Sequence, residues 1–198
     1  MTTNRETQAP VDAQFVERWS PRAFDGKPVS ARDIESLFEA ARWAPSSYNE
    51  QPWHFLYAAE GQSSAEELER FRSLLLDGNR AWAGRAPVLI FILARRHFDH
   101  NGKENRTHLF DTGLGAMSLI LQAEKLGLHS HAMGGIHLER VYEELNVPKD
   151  RYEVICALAV GYRGDAETLP EELRAKEKPS DRKPLAEVAL RGAFTESD

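Results

Sequence analysis

The segment Arg18-Trp19-Ser20-Pro21-Arg22 sets two guanidinium groups and a hydroxyl within five residues. Guanidinium forks bind phosphate oxygens in pairs, so this spacing suits a small anion. A second basic set, Lys176, Lys178, Arg182 and Lys183, stands near the C-terminus. Each set alone also has the pattern of a solvated charged face. A third segment, 44–55, reads APSSYNEQPWHF. Its Pro45, Ser46, Ser47 and Asn49 gather small hydrogen-bonding groups into one turn between two core-forming elements.

Other chemistries lack their residues. His129-x-His131 and His97-x-x-His100 could each present two imidazoles, but no acidic motif such as HExxH accompanies them. Ser46 and Ser47 lie in no GxSxG elbow, and the single cysteine, Cys156, lies inside the apolar run VICALAVGY as a small core residue would. There is no GxxxxGK[ST] phosphate loop. The triplet Gly113-Leu114-Gly115 lacks the third glycine and the preceding strand of a dinucleotide fingerprint.

The 198 residues suit one domain with an extension. Lys and Arg total 25 against 31 Asp and Glu, a net charge of −6, which argues against a nucleic-acid binder. No stretch approaches the roughly 20 apolar residues of a membrane span, and the polar N-terminus MTTNRETQAPVDAQ lacks a secretion signal. A cytoplasmic protein without nucleic-acid or membrane partners is expected.

The positioning elements follow from periodicity. Residues 30–43 have Ile34, Leu37, Phe38 and Ala41 on one helical face, with Ser30 as N-cap. Residues 53–59 read as a strand, 63–77 as an amphipathic helix broken by Gly78-Asn79, and 87–94 (PVLIFILA) as a central strand. The longest helix is predicted over 107–126, ended by Gly127. It carries Gly113, Gly115 and Ala116, so something approaches its backbone closely: another helix, a second subunit or a flat ligand. A short strand at 129–133, a helix at 137–146 and a strand at 152–162 complete the core. A polar tail ends in Leu185, Val188, Leu190 and Phe194, as a segment that docks on a partner would. Strands interleaved with helices predict an α/β or α+β layer.

In order along the chain, RWSPRAF (18–24), APSSYNEQPWHF (44–55), DTGLGAMSLILQAEKLGL (111–128), MGGI (133–136), ALAVGYRG (157–164) and RKPLAEV (182–188) resemble the nitroreductase family of FMN-dependent oxidoreductases. The likeness runs from about residue 15 to 190. It implies an α+β subunit, a central mixed β-sheet flanked by helices, and an intertwined homodimer with two FMN sites at the interface. It implies a flexible segment at 1–14, the flavin domain at 15–163 and an extension at 164–198 that docks on the partner subunit.

The resemblance also assigns residues. Arg18 and Ser20 would hold the phosphate and neighbouring ribityl chain, with Arg182 and Lys183 at a second phosphate position. Trp19, where the family often has Arg or His, would contribute packing or backbone. Arg22 would face the N1 and C2-carbonyl edge, where it stabilises the negative charge of the reduced ring. Pro45, Ser46, Ser47 and Asn49 would reach the ring across the dimer. Gln51, Pro52 and Trp53 would fix their loop to the next strand. Gly134-Gly135 would bring a backbone N–H to N5, and Asn79 would reach the pyrimidine side. The long helix would form the dimer seam.

The implied chemistry is ping-pong: NADH or NADPH passes hydride to flavin N5 and leaves, and a small acceptor such as a nitroaromatic or quinone takes the electrons. No side-chain acid or base is required. Segments 60–85 and 98–106 are candidate lids. The same scaffold also suits enone or aldehyde reduction, dehalogenation, or flavin binding without catalysis.

Overall fold

A computed structural model describes residues 5–194. Four strands form one sheet in the order β1-β2-β4-β3, where β1 is Trp53–Ala59, β2 Val88–Arg95, β3 His129–Met133 and β4 Tyr152–Gly161. The bounds of β1 and β3 coincide with those expected from the sequence.

β2 and β4 sit centrally, and both faces of β2 are covered. Leu89, Phe91 and Leu93 join one core with Leu68, Phe71, Leu74, Trp82 and Tyr142. Val88, Ile90 and Ile92 join another with Ile34, Leu37, Leu119 and Ala123. Burial on both sides explains why β2 is apolar at consecutive positions rather than at alternate ones.

The sheet corrects one expectation. A mixed sheet was implied, but every pairing among the described strands is antiparallel. Helix-length connections serve parallel crossovers and antiparallel excursions equally, and hydrophobic periodicity carries no strand direction.

The helices are α1 (Ala13–Glu17), α2 (Ala31–Arg42), α3 (Ala65–Ser73), α4 (Asp77–Ala83), α5 (His108–Lys125), α6 (Leu138–Glu144), α7 (Glu171–Arg174) and α8 (Leu185–Val188). Ser30 caps α2, its Oγ accepting from Asp33 N at 3.1 Å. Gly127, at φ 72°, follows the end of α5 as a left-handed glycine does.

The helix expected over 63–77 ends early, at Ser73, and a second helix, α4, begins at Asp77. Ser64 caps α3. The chain then leaves the helix at Leu74–Leu76, where Leu75 bridges Ile136 and Leu76 N donates to Gly135 O at 3.0 Å. Gly78 and Asn79 lie inside α4 rather than breaking a helix. Buried Leu74 and Leu75 mimic a continuing helical face, so local pattern hides the break.

Gly115 also finds its neighbour within the chain. A Cβ there would lie 3.1 Å from the Trp53 ring, whereas one on Gly113 would meet nothing within 4 Å. The close approach is thus the Trp53 indole, and Gly113 lies on an open face. Phe110 and Met117 share that face, 68% and 36% exposed. Among the described residues no helix is long and apolar enough to cross a membrane. Residues 1–4 and 195–198, parts of the expected flexible segment and docking extension, lie outside those described.

Candidate functional site

The basic residues converge. Arg5, Arg18, Trp19, Ser20, Arg22, His131, Lys176, Lys178, Ser180 and Arg182 line a hollow of about 270 Å³. Six of these side chains are cationic, and none is a carboxylate. Arg5 reaches back from the N-terminal segment, its Nη1 donating to the carbonyls of Val16 (2.8 Å) and Arg18 (2.9 Å). Arg18 Nη1 lies 3.4 Å from Ser20 Oγ. Trp19 is buried, with the Arg163 guanidinium 5.0 Å above its ring, so it serves as a packing wall. Arg22 lies over the Trp82 ring at 5.9 Å.

The charges are held against their own repulsion. Burial first, then the charges of Arg182 and Arg18, push the Arg5 guanidinium below its ordinary range. Burial also lowers Arg18, against the pull of Glu124. Cations crowded this way gain when an anion enters.

His131 belongs to this wall. Its ring packs against Trp82 at a 40° tilt with centroids 4.5 Å apart, and Nδ1 lies 3.0 Å from Pro21 O. A carbonyl only accepts, so Nδ1 carries the proton. Burial, and then the Arg22 charge, lower its pKa; the carbonyls of Pro21 and Ser20 and the charge of Glu177 only partly oppose this. The neutral ring leaves Nε2 as an acceptor in a hollow otherwise rich in donors. His129, the other half of the sequence pair, lies instead beside Glu124 at 3.3 Å.

Asn79, Gly134 and Gly135 form a second group. Asn79 Nδ2 donates to Gly135 O at 3.0 Å, and a Cβ on Gly135 would lie 2.5 Å from that nitrogen. A side chain at 135 would thus displace the Asn79 amide from this hydrogen bond. A Cβ on Gly134 would meet nothing within 4 Å, so a flat ligand can come close to its backbone.

The Pro45–Asn49 turn lies elsewhere, at the start of β1. Tyr48, Asn49 and Gln51 have φ of 54°, 55° and 50°, left-handed values unusual for side-chain-bearing residues, with Glu50 between them at −70°. Hydrogen bonds hold it: Gln51 N to Ser46 Oγ at 3.0 Å, and Ser47 N to Asp111 Oδ2 at 3.1 Å. Below it, Glu50 pairs with Arg95 at 2.7 Å, their side chains only 6% and 15% exposed. This end of the sheet carries Trp53 opposite Ala94 and Arg95 opposite Tyr152. The basic segment sits at the other end, where Phe24 bridges Arg163 just beyond β4. One chain does not bring the two groups together.

Lys183 does not line the hollow; it is exposed and faces Glu187 at 3.9 Å. Sequence reasoning marked Lys176 and Lys178 as part of a basic set without giving them a place in the flavin site, and it did not assign Arg5, His131 and Ser180 to the site. The even spacing of 176, 178, 180 and 182 was the available signal. Cys156 offers no nucleophile, because burial pushes its thiol up to about 11. A wider hollow of about 740 Å³ lies beside α3, but Glu66, Glu67, Glu69 and Glu144 line it and would repel anionic groups.

A model of the nitroreductase family matches residues 15–162. The chain belongs to this family. It is 28% identical over 167 residues to the putative NAD(P)H nitroreductase YdgI of Bacillus subtilis, covering 69% of this chain and 80% of that protein. It is 24% identical over 177 residues to the oxygen-insensitive NADPH nitroreductase of Helicobacter acinonychis, covering 74% and 84% respectively. Among solved structures it is similar to an oxidoreductase containing FMN, with 44% identity, a TM-score of 0.94 and coverage of 100% and 99%. A putative nitroreductase in complex with FMN from Exiguobacterium sibiricum has the same fold at 22% identity, with a TM-score of 0.73 and coverage of 93% and 99%.

Proposed function

We propose that this nitroreductase-family chain is an FMN-dependent oxidoreductase that takes reducing equivalents from NADH or NADPH and delivers them to a small organic acceptor. The observation that carries this reading is the carboxylate-free hollow in which Arg18, Ser20, Lys176, Lys178 and Arg182 surround space for one phosphate group. The structurally similar protein at 44% identity contains FMN, in agreement.

The residues fit the cofactor's chemistry. The guanidinium and ammonium groups neutralise a phosphate dianion, and Ser20 and neutral His131 can exchange hydrogen bonds with a polyol chain. Arg22, lying over Trp82, supplies fixed positive charge for the pyrimidine edge. Gly134 keeps the backbone open to a planar ring. When bound, FMN supplies the hydride and electron transfer, and a nitroaromatic, a quinone or a related compound is the acceptor class. The protein holds the group, biases its charge and limits what stacks on it.

The Pro45–Asn49 turn would complete the site from a second copy of the chain. The unpartnered face of α5 at Phe110, Gly113 and Met117 offers the seam, and exposed Leu185, Val188, Leu190 and Phe194 offer an apolar tail to dock.

The test is anaerobic. The purified protein should be yellow, NADH or NADPH should bleach its flavin absorption, and a quinone should restore it. Flavin left unbleached by both nucleotides would refute the reductase reading.

A further inference from the structure

Glu177 stands among the cations but pairs with none of them. Its carboxylate accepts the backbone N–H of Arg22 on both oxygens, at 2.9 and 3.0 Å, and that of Ala23 at 3.0 Å. The contact closes 155 residues of chain. The same stretch is fixed from its other side, where Gly164 N donates to Ala23 O at 2.8 Å and Asp25 N to Tyr162 O at 3.1 Å. Charge-assisted bonds to paired N–H groups are about twice as strong as neutral ones.

The consequence lies in the neighbours of Glu177. Lys176, Lys178, Ser180 and Arg182 line the hollow, whereas Glu177, between the two lysines, spends both carboxylate oxygens on the Arg22 and Ala23 backbone. The carboxylate meets its hydrogen-bonding need on main-chain donors and leaves the side-chain cations free. A salt bridge to Arg22 or Lys178 would anchor the tail equally well but would cancel the charge needed for an anion.

We infer that Glu177 is a positioning residue that latches the tail onto the Arg22–Ala23 backbone, so that Lys176, Lys178 and Arg182 are held at the phosphate end of the flavin site and set the preference for phosphorylated over unphosphorylated flavin. This rests on the FMN reading above.

The test compares FMN with riboflavin, which share the ring and ribityl chain and differ in the phosphate. The full chain, stripped of flavin, is titrated with each by fluorescence. Four proteins are used: wild type, Glu177→Gln, the Lys176→Ala/Lys178→Ala pair, and the triple variant. Glu177→Gln should weaken FMN binding roughly tenfold, the loss expected for charged hydrogen bonds, and leave riboflavin binding within about twofold. The lysine pair should show the same ligand pattern. The triple variant should lose clearly less than the sum of the two separate losses, because with the lysines gone the latch has only Arg182 left to hold.

Equal weakening of FMN and riboflavin by Glu177→Gln would mean a general structural role and overturn the latch. Losses that add fully in the triple variant would overturn it too, as would a Glu177→Gln protein that binds FMN like wild type. A wild-type chain that binds neither flavin would overturn the functional reading itself, which separates that failure from failure of the latch.

Discussion

Asp111 ties the strained turn at 45–49 to the body of the subunit, and its removal gives a calculable loss. The residue is 3% exposed, in the first turn of α5. Its Oδ2 accepts Ser47 N at 3.1 Å and Thr107 Oγ1 at 3.0 Å. Thr107 Oγ1 also lies 2.9 Å from Asn105 Oδ1, so its single proton keeps an acceptor when Asp111 is gone. Ser47 N–H does not. Asp111→Ala therefore strands one donor and removes one charged acceptor, about 1.5–3 kcal/mol. It also removes a negative charge from the positive end of α5, about 0.3–1 kcal/mol. The sum is roughly 2–4 kcal/mol, which for a chain of this size lowers Tm by about 4–16 °C. Asp111→Asn retains an acceptor oxygen but loses the charge, and should cost about half as much.

Thermal unfolding followed by circular dichroism measures this, on flavin-free protein at one fixed concentration, because ligand and subunit binding both shift apparent stability. Flavin affinity should fall along with Tm, since the turn loses its anchor. An Asp111→Ala protein melting within a degree or two of wild type would refute the reasoning, as would equal losses for Ala and Asn.

Gly115→Leu should destabilise the subunit by about 3 kcal/mol, because its side chain would press on the Trp53 ring, while Gly113→Leu should leave stability near wild type and weaken self-association; thermal unfolding by circular dichroism and light scattering distinguish them. Gly135→Ala should destabilise by about 1–3 kcal/mol through its clash with Asn79, and adding Asn79→Ala should recover most of that in urea unfolding. His131 has a folded pKa below the ordinary 6.5, so the unfolded chain binds its proton first as pH falls. Its share of stability is intact above about 6.5 and declines below it, and His131→Gln should flatten that part of the urea midpoint against pH.

What the sequence revealed follows the range of the interactions. β1, β3, the Ser30 cap and the Gly127 stop depend on neighbours a few residues away, and local pattern located them. The break at Leu74–Leu76 depends on Gly135 and Ile136, some sixty residues on, and was hidden by buried leucines at helical spacing. Within the candidate site, Arg18, Ser20 and Arg22 stood out as one compact motif. His131 did not, because its role depends on a Pro21 carbonyl 110 residues away and on the Trp82 ring. Glu177 carries no local signal, because its partners are backbone N–H groups 155 and 154 residues away. Lys183 matched by position in the chain, yet the tail turns it toward Glu187.

The separation of the two candidate groups has a consequence for assembly. The 45–49 turn and the basic hollow lie at opposite ends of β4, whose ten residues span roughly 30 Å. One mononucleotide cannot touch both within a single chain, but a two-fold dimer can place one copy's turn at the other copy's hollow. Hybrid dimers decide the matter. Take Arg18→Ala, which damages the hollow, and Asn49→Pro, which damages the turn. In a mixed dimer with shared sites, one site combines both damaged parts and the other combines both intact parts. Random mixing makes half the dimers hybrids, so about a quarter of all sites should regain tight FMN binding. If each site were built from one chain, every chain would still carry a lesion and mixing would restore none.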